Sequence, residues 1–152
     1  MVEDMSSSEY VNIRLVILDR DSSRFITDKF GDLPSLQVPY VHYSDCRQIS
    51  SYAFLKLGLP VNQLRTVEGY SASRTVSCEL KPGTEVPSNF RWASIDSLPD
   101  DCSILMDHCA RDSTPWSYPG WLQEVNSWVE YVLAEKGIKK TGYMIPEKIW
   151  SI

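Results

Sequence analysis

The chain has 152 residues, 43% of them hydrophobic and 23% charged, which is the size of one ordinary domain with enough apolar material for its own core. That composition excludes a disordered chain and a small scaffold that depends on disulfide or metal staples. Fifteen Lys and Arg against 20 Asp and Glu give a net charge of −5, the wrong sign for a generic nucleic-acid binder.

Residues 1–9 are acidic and Ser-rich, unlike a secretory or transit leader, and read as a disordered tail. No apolar run approaches the ~20 residues needed to span a bilayer, so a cytoplasmic chain is expected. Val11, Ile13, Leu15 and Ile17 alternate with Asn12, Arg14 and Val16, which predicts a strand over 10–18. Asp19 to Ser23 is a turn, and Arg24 to Asp28 is the expected antiparallel return. Pro34 and Pro39 allow only short extended pieces after that.

Asp45 is placed as an N-cap with Gln48 as its capping-box partner, and Gly58-Leu59-Pro60 is a stop, so residues 46–57 are predicted to be a helix. Two β-rich stretches follow, Gln63–Tyr70 and Ser73–Leu80, then a loop, and then a strand over Phe90–Ile95. A short helix is expected over 102–110. In the last helix, Leu122, Val125, Trp128, Val129 and Val132 define the predicted apolar face, and Gly137 ends it. The element order predicts an α+β fold with a mixed, mostly antiparallel sheet and about three helices.

The four cysteines, Cys46, Cys78, Cys102 and Cys109, show neither a CxxC pair nor a staple pattern, which fits reduced thiols. A metal site from Cys102, His108 and Cys109 would be an unusual ligand set, and buried thiols acting as small apolar side chains are the simpler reading. No cofactor and no metal ligands are expected.

The stretch Asp32–Leu59 resembles the central region of Nudix hydrolases. Leu33-Pro34 matches the turn that follows the first hairpin in that family, and Leu57-Gly58-Leu59 matches the end of its signature helix. Arg91 to Pro99, with Trp92 and Leu98-Pro99, is similar to the stretch that often closes the Nudix sheet. The resemblance implies a Nudix-like α/β/α sandwich over residues 10–135. It breaks at the chemistry. Anchored on Gly58-Leu59, the Arg-Glu pair of the signature falls on Ser51 and Tyr52, and the Glu-Glu pair on Leu55 and Lys56. Mg²⁺ is held by several oxygen ligands, and these side chains supply no carboxylate. The implied domain is a pseudoenzyme, a frame without its acidic metal-binding helix. The plainer alternative is an α+β sandwich unrelated to that family.

Trp116 to Leu122, then Trp128-Val129, resembles a segment ahead of the kinase-like domain in some bacterial aminoglycoside-phosphotransferase-family proteins. Gly137 to Gly142 and Glu147 to Ile152 fit the order found there. This resemblance implies that residues 136–152, with a net charge of +3 against −8 for the rest, are a linker and the start of a kinase-like domain. It further implies a non-catalytic accessory domain whose partner is that following domain. A small molecule is the other candidate partner, and neither nucleic acid nor membrane is expected. The chain has no H-x-D-x-x-x-x-N loop and no phosphate-binding Gly-rich loop, so it carries no phosphotransfer site of its own.

The rival reading is a diverged Nudix-type phosphohydrolase acting on a nucleotide-like substrate, with carboxylates drawn from Asp45, Glu68 or Glu79. Trp92, Trp116, Tyr118 and Trp121 are the candidate interaction surface, because Trp and Tyr give a large contact area with a polar tip. The simpler role for these rings is to clamp the last helix onto the sheet.

Overall fold

The computed structural model describes residues 10–39, 46–68, 73–106 and 118–142. They form an α+β fold with one mixed, open sheet of six strands: β1 Tyr10–Leu18, β2 Arg24–Asp28, β3 Ser35–Pro39, β4 Val61–Glu68, β5 Ser73–Leu80 and β6 Phe90–Ser94. Two α-helices are described, α1 Cys46–Leu57 and α2 Trp121–Glu135. The helix expected over 102–110 is a 3₁₀ segment from Asp100 to Met106, and residues 107–110 lie outside the described residues. So do the proposed N-cap Asp45, both histidines, Cys109 and Trp116. Among the described residues no helix is long and apolar enough to cross a membrane.

β1 is the organising strand. The sheet runs β4-β5-β1-β2-β6, with β3 also paired to β1. One edge of β1 pairs in parallel with β5, from Asn12–Ser73 to Leu18–Glu79. Its other edge is shared: β3 pairs with residues 10–14, and β2 joins at Leu18–Phe25, both antiparallel. β2–β6 and β4–β5 are antiparallel as well.

Both faces of β1 are covered, which explains why its apolar run is nearly continuous at the C-terminal end. Ile13, Leu15 and Ile17 enter the larger cluster with Leu36, Val38, Val76 and Cys78, and α1 adds Ile49 and Ala53. Val16 and Leu18 enter a smaller cluster on the other face with Phe25 and Cys102. The alternation visible in the sequence describes the first face. Val16, which that pattern pairs with Asn12 and Arg14, is fully buried on the second.

The 3₁₀ segment is tied to this second face by Arg14, whose Nη2 donates to Thr75 Oγ1 at 2.9 Å and to Asp101 Oδ2 at 2.6 Å. The hydrogen bond from Arg14 holds the Asp101 carboxyl below its ordinary range. Both side chains are partly solvated, so the pair contributes little net stability.

α1 stops where expected. Gly58 takes a left-handed conformation, and its N–H donates to Phe54 O. α2 stops at Gly137 with both bonds of a Schellman turn, Gly137 N–H to Ala134 O and Ile138 N–H to Leu133 O.

The predicted face of α2 is turned inward at Leu122, which is buried, and at Val125, Val129 and Val132, which are half-buried, but not at Trp128. Leu122 and Asn126 are its buried residues, whereas Trp128 is 64% exposed. At 3.6 residues per turn Trp128 lies about 120° round the helix from Leu122. Asn126, polar and therefore invisible to an apolar pattern, donates to Leu122 O at 2.8 Å and accepts from Lys140 Nζ at 2.5 Å. Lys140 also pairs with Glu130 at 3.3 Å, which folds the chain after Gly137 back along the helix.

Candidate functional site

α1 carries charge of one sign only. Arg47 and Lys56 are its charged residues, and no acid stands on it. Lys56 Nζ donates to Gln37 O at 2.9 Å and lies 5.8 Å from the Tyr52 ring, so its ammonium is held against the neighbouring β3 backbone. Leu55 is 77% exposed. A helix with this face does not fit a divalent cation, which needs oxygen ligands and negative charge.

Of the other proposed carboxylates, Asp45 lies outside the described residues, and Glu68 and Glu79 sit at opposite ends of the β4–β5 ladder. Glu79 stands opposite Asn62 and Glu68 opposite Arg74 in the β4–β5 ladder. Along β5 five residues separate those positions, about 17 Å at the usual strand rise. Among the described residues no group of three or more His, Cys, Asp or Glu could hold a metal ion.

Cys102 is a buried thiol that donates to Asp101 Oδ1 at 3.6 Å, and burial pushes its pKa up to about 11. It is therefore protonated at neutral pH and a poor nucleophile. Alkylation with iodoacetamide at pH 8, mapped peptide by peptide, should leave Cys78 and Cys102 unmodified in the folded chain and label both in urea. Labelling of Cys102 under native conditions at the rate of a free thiol would contradict this burial.

A more developed cleft, about 220 Å³ in volume, lies where the parallel strands β1 and β5 end. Its polar wall holds Asp19, Arg20, Glu79 and Lys81, and its apolar wall includes Leu80, Pro82 and Trp92. Gly120, the residue before α2, closes one side. The carboxyl ends of parallel strands leave exposed turns around a shared opening, which is where open sheets commonly receive ligands.

Both acids of the cleft are engaged by the protein. Asp19 Oδ1 accepts the N–H groups of Ser23 and Arg24 at 2.8 and 3.0 Å, and Oδ2 accepts Arg24 Nε at 2.9 Å and Ser23 Oγ at 3.1 Å. Burial pushes the Asp19 carboxyl up, but the hydrogen bonds from Arg24 and Ser23 together outweigh it and leave it below its ordinary range. Glu79 Oε2 accepts the Gly120 N–H at 2.6 Å. Burial raises the Glu79 carboxyl above its ordinary range, against the opposing pull of that N–H and of the nearby Arg20 charge.

The cations are the open groups. Neither the Arg20 guanidinium nor the Lys81 ammonium donates a hydrogen bond to a described residue. The Arg20 stem instead packs on Gly120, where a Cβ would meet Arg20 Cγ and Nε at 3.3 Å. Gly120 also has φ +90, a left-handed backbone that other residues adopt at a cost. Gly120→Ala should therefore destabilise the chain by about 1–2 kcal/mol, read from urea unfolding. An unchanged midpoint would mean that the turn and Arg20 can shift without cost.

The four aromatic residues separate in this arrangement. Trp92 lines the cleft from β6, packs on the larger core cluster and carries the Arg24 guanidinium 4.9 Å from its ring centre. Tyr118 and Trp121 are half-buried on either side of Gly120, and Trp116 lies outside the described residues. The sequence pointed to Trp92 and Glu79 but not to Arg20 and Lys81, which sit in separate turns with no motif to connect them. No family model matches this chain, and no curated protein matches it.

Proposed function

We propose that the chain is a non-catalytic accessory domain with a Nudix-like frame, working beside a phosphotransferase-type kinase domain of the same parent chain. The observation that supports this reading is α1. Where the resemblance places the metal-binding carboxylates, Leu55 faces solvent and Lys56 is bonded to Gln37 O. An ammonium there opposes Mg²⁺ instead of holding it, so the diphosphate chemistry of that family loses its electrophile. Trp92, Trp116, Tyr118 and Trp121 are the proposed contact residues toward the neighbouring domain.

The purified chain, incubated with nucleoside di- and triphosphates or dinucleotides and Mg²⁺ or Mn²⁺, is expected to release no phosphate or mononucleotide above the protein-free rate. Metal-dependent turnover that disappears in Glu68→Gln or Glu79→Gln would overturn the reading in favour of a diverged phosphohydrolase.

A further inference from the structure

We propose that the cleft at the ends of β1 and β5 binds a small organic oxyanion, its carboxylate or phosphate held by Arg20 and Lys81 and its carbon frame lying against Trp92, Leu80 and Pro82. This goes beyond the accessory-domain reading and is tested separately: the two share Trp92, but the charge argument rests on Arg20 and Lys81, which that reading does not use.

The sign of the ligand follows from which groups are already committed. All four contacts on Asp19 come from Ser23 and Arg24, so that carboxylate is saturated within its own turn. Glu79 is aimed at Gly120 by its 2.6 Å bond, and half-burial disfavours its charge. Arg20 and Lys81 line the cleft and donate no hydrogen bond to a described residue, although the Arg20 charge acts on Glu79 and Lys81 also borders the cavity beside α1. Two cationic residues lining one cleft, with the nearby acids already hydrogen-bonded to the protein, attract negative charge and can offer charge-assisted hydrogen bonds to it.

The size and lining set the rest. A volume of about 220 Å³ is below that of most drug-sized sites and suits one charged head and a compact apolar body. The Trp92 ring, already half-buried with Arg24 over it, provides a fixed apolar wall without further ordering. The cavity beside α1, about 210 Å³, shares Lys81 with this cleft but has Arg47 in place of Arg20, so Arg47 serves as the internal control.

The probes are benzoate, phenyl phosphate and inorganic phosphate, titrated into the 152-residue chain and followed by NMR shifts of backbone amides and the Trp92 indole. Benzoate or phenyl phosphate is expected to saturate in the low millimolar range, with shifts centred on Arg20, Lys81 and Trp92. Whichever of the two binds more tightly identifies the head group, and inorganic phosphate alone should bind more weakly than either. Arg20→Gln and Lys81→Gln should each weaken binding by about 5- to 10-fold, the loss of one charge-assisted contact. Glu79→Gln should tighten it by removing like charge, and Arg47→Gln should leave it unchanged.

Circular dichroism of each variant separates lost binding from lost fold, and Lys81→Gln carries the test if Arg20→Gln unfolds. The proposal is overturned if neither aromatic probe binds, if Arg47→Gln costs as much as Lys81→Gln, or if Glu79→Gln weakens binding, since a cation would then be the better ligand.

Discussion

Leu15→Ala should lower the stability of the folded chain by about 3 kcal/mol, with a matching fall in the urea midpoint and no change in the slope of the transition. Leu15 is fully buried in the middle of β1, and the strands on both edges of β1 meet around it. Its side chain enters the larger cluster beside Val76 and the α1 residues Ile49 and Ala53. Truncation removes three carbons from a site where neighbours on two strands and a helix are fixed by backbone pairing, so the cavity collapses only in part. The same change at Leu55, which is 77% exposed on α1, should cost well under 1 kcal/mol. Equal losses at the two positions would mean that β1 is not the centre of the core.

Removing the Glu79 carboxylate should produce the second large effect. Glu79→Ala leaves the buried Gly120 N–H without its acceptor at the start of α2, and a loss of about 2 kcal/mol is expected. Glu79→Gln keeps an acceptor oxygen and should cost much less.

The two variants also separate the hydrogen bond from the charge. Burial raises the Glu79 carboxyl above its usual range, so the folded chain holds a proton that the unfolded chain has already released. Its contribution to stability is therefore largest in acid, below the ordinary glutamate range, and is lost as pH rises through the raised value. Asp19 and Asp101 act in the opposite direction, because both are lowered in the folded chain and their contributions disappear as pH falls. Subtracting the stability of Glu79→Gln from that of the wild type, pH by pH, cancels the aspartates. The difference should favour the wild type increasingly toward pH 4. A flat difference would show that Glu79 has the same pKa folded and unfolded.

Much of the local structure was legible in the sequence because short-range rules decide it. Alternating residues gave β1, Gly58 and Gly137 ended the helices, and the turn residues Asp19 to Ser23 produced the first hairpin. The absence of acids on α1 was also a sequence fact, and it carries the non-catalytic proposal. The apolar pattern of α2 found its inward side through Leu122, Val125, Val129 and Val132 but misplaced Trp128 and missed Asn126, which is buried and accepts from Lys140. No hydrophobic pattern marks such a pair.

By itself, then, the sequence determined most of the elements, since capping, turn chemistry and periodicity act within a few residues. It did not determine all their limits: β4 runs Val61–Glu68 where Gln63–Tyr70 was expected, and a 3₁₀ segment over Asp100–Met106 stands where a helix over 102–110 was expected. It also determined which chemistry α1 lacks. Only the tertiary structure decided that β1 is central and buried on both faces, because strand order depends on pairing across long stretches of chain. Only it brought Arg20, Glu79, Lys81 and Trp92, drawn from three separate parts of the chain, to one cleft. Their approach follows from the parallel β1–β5 register and the seating of Gly120 against Glu79. Neither has a local signature, since each is a contact between residues tens of positions apart.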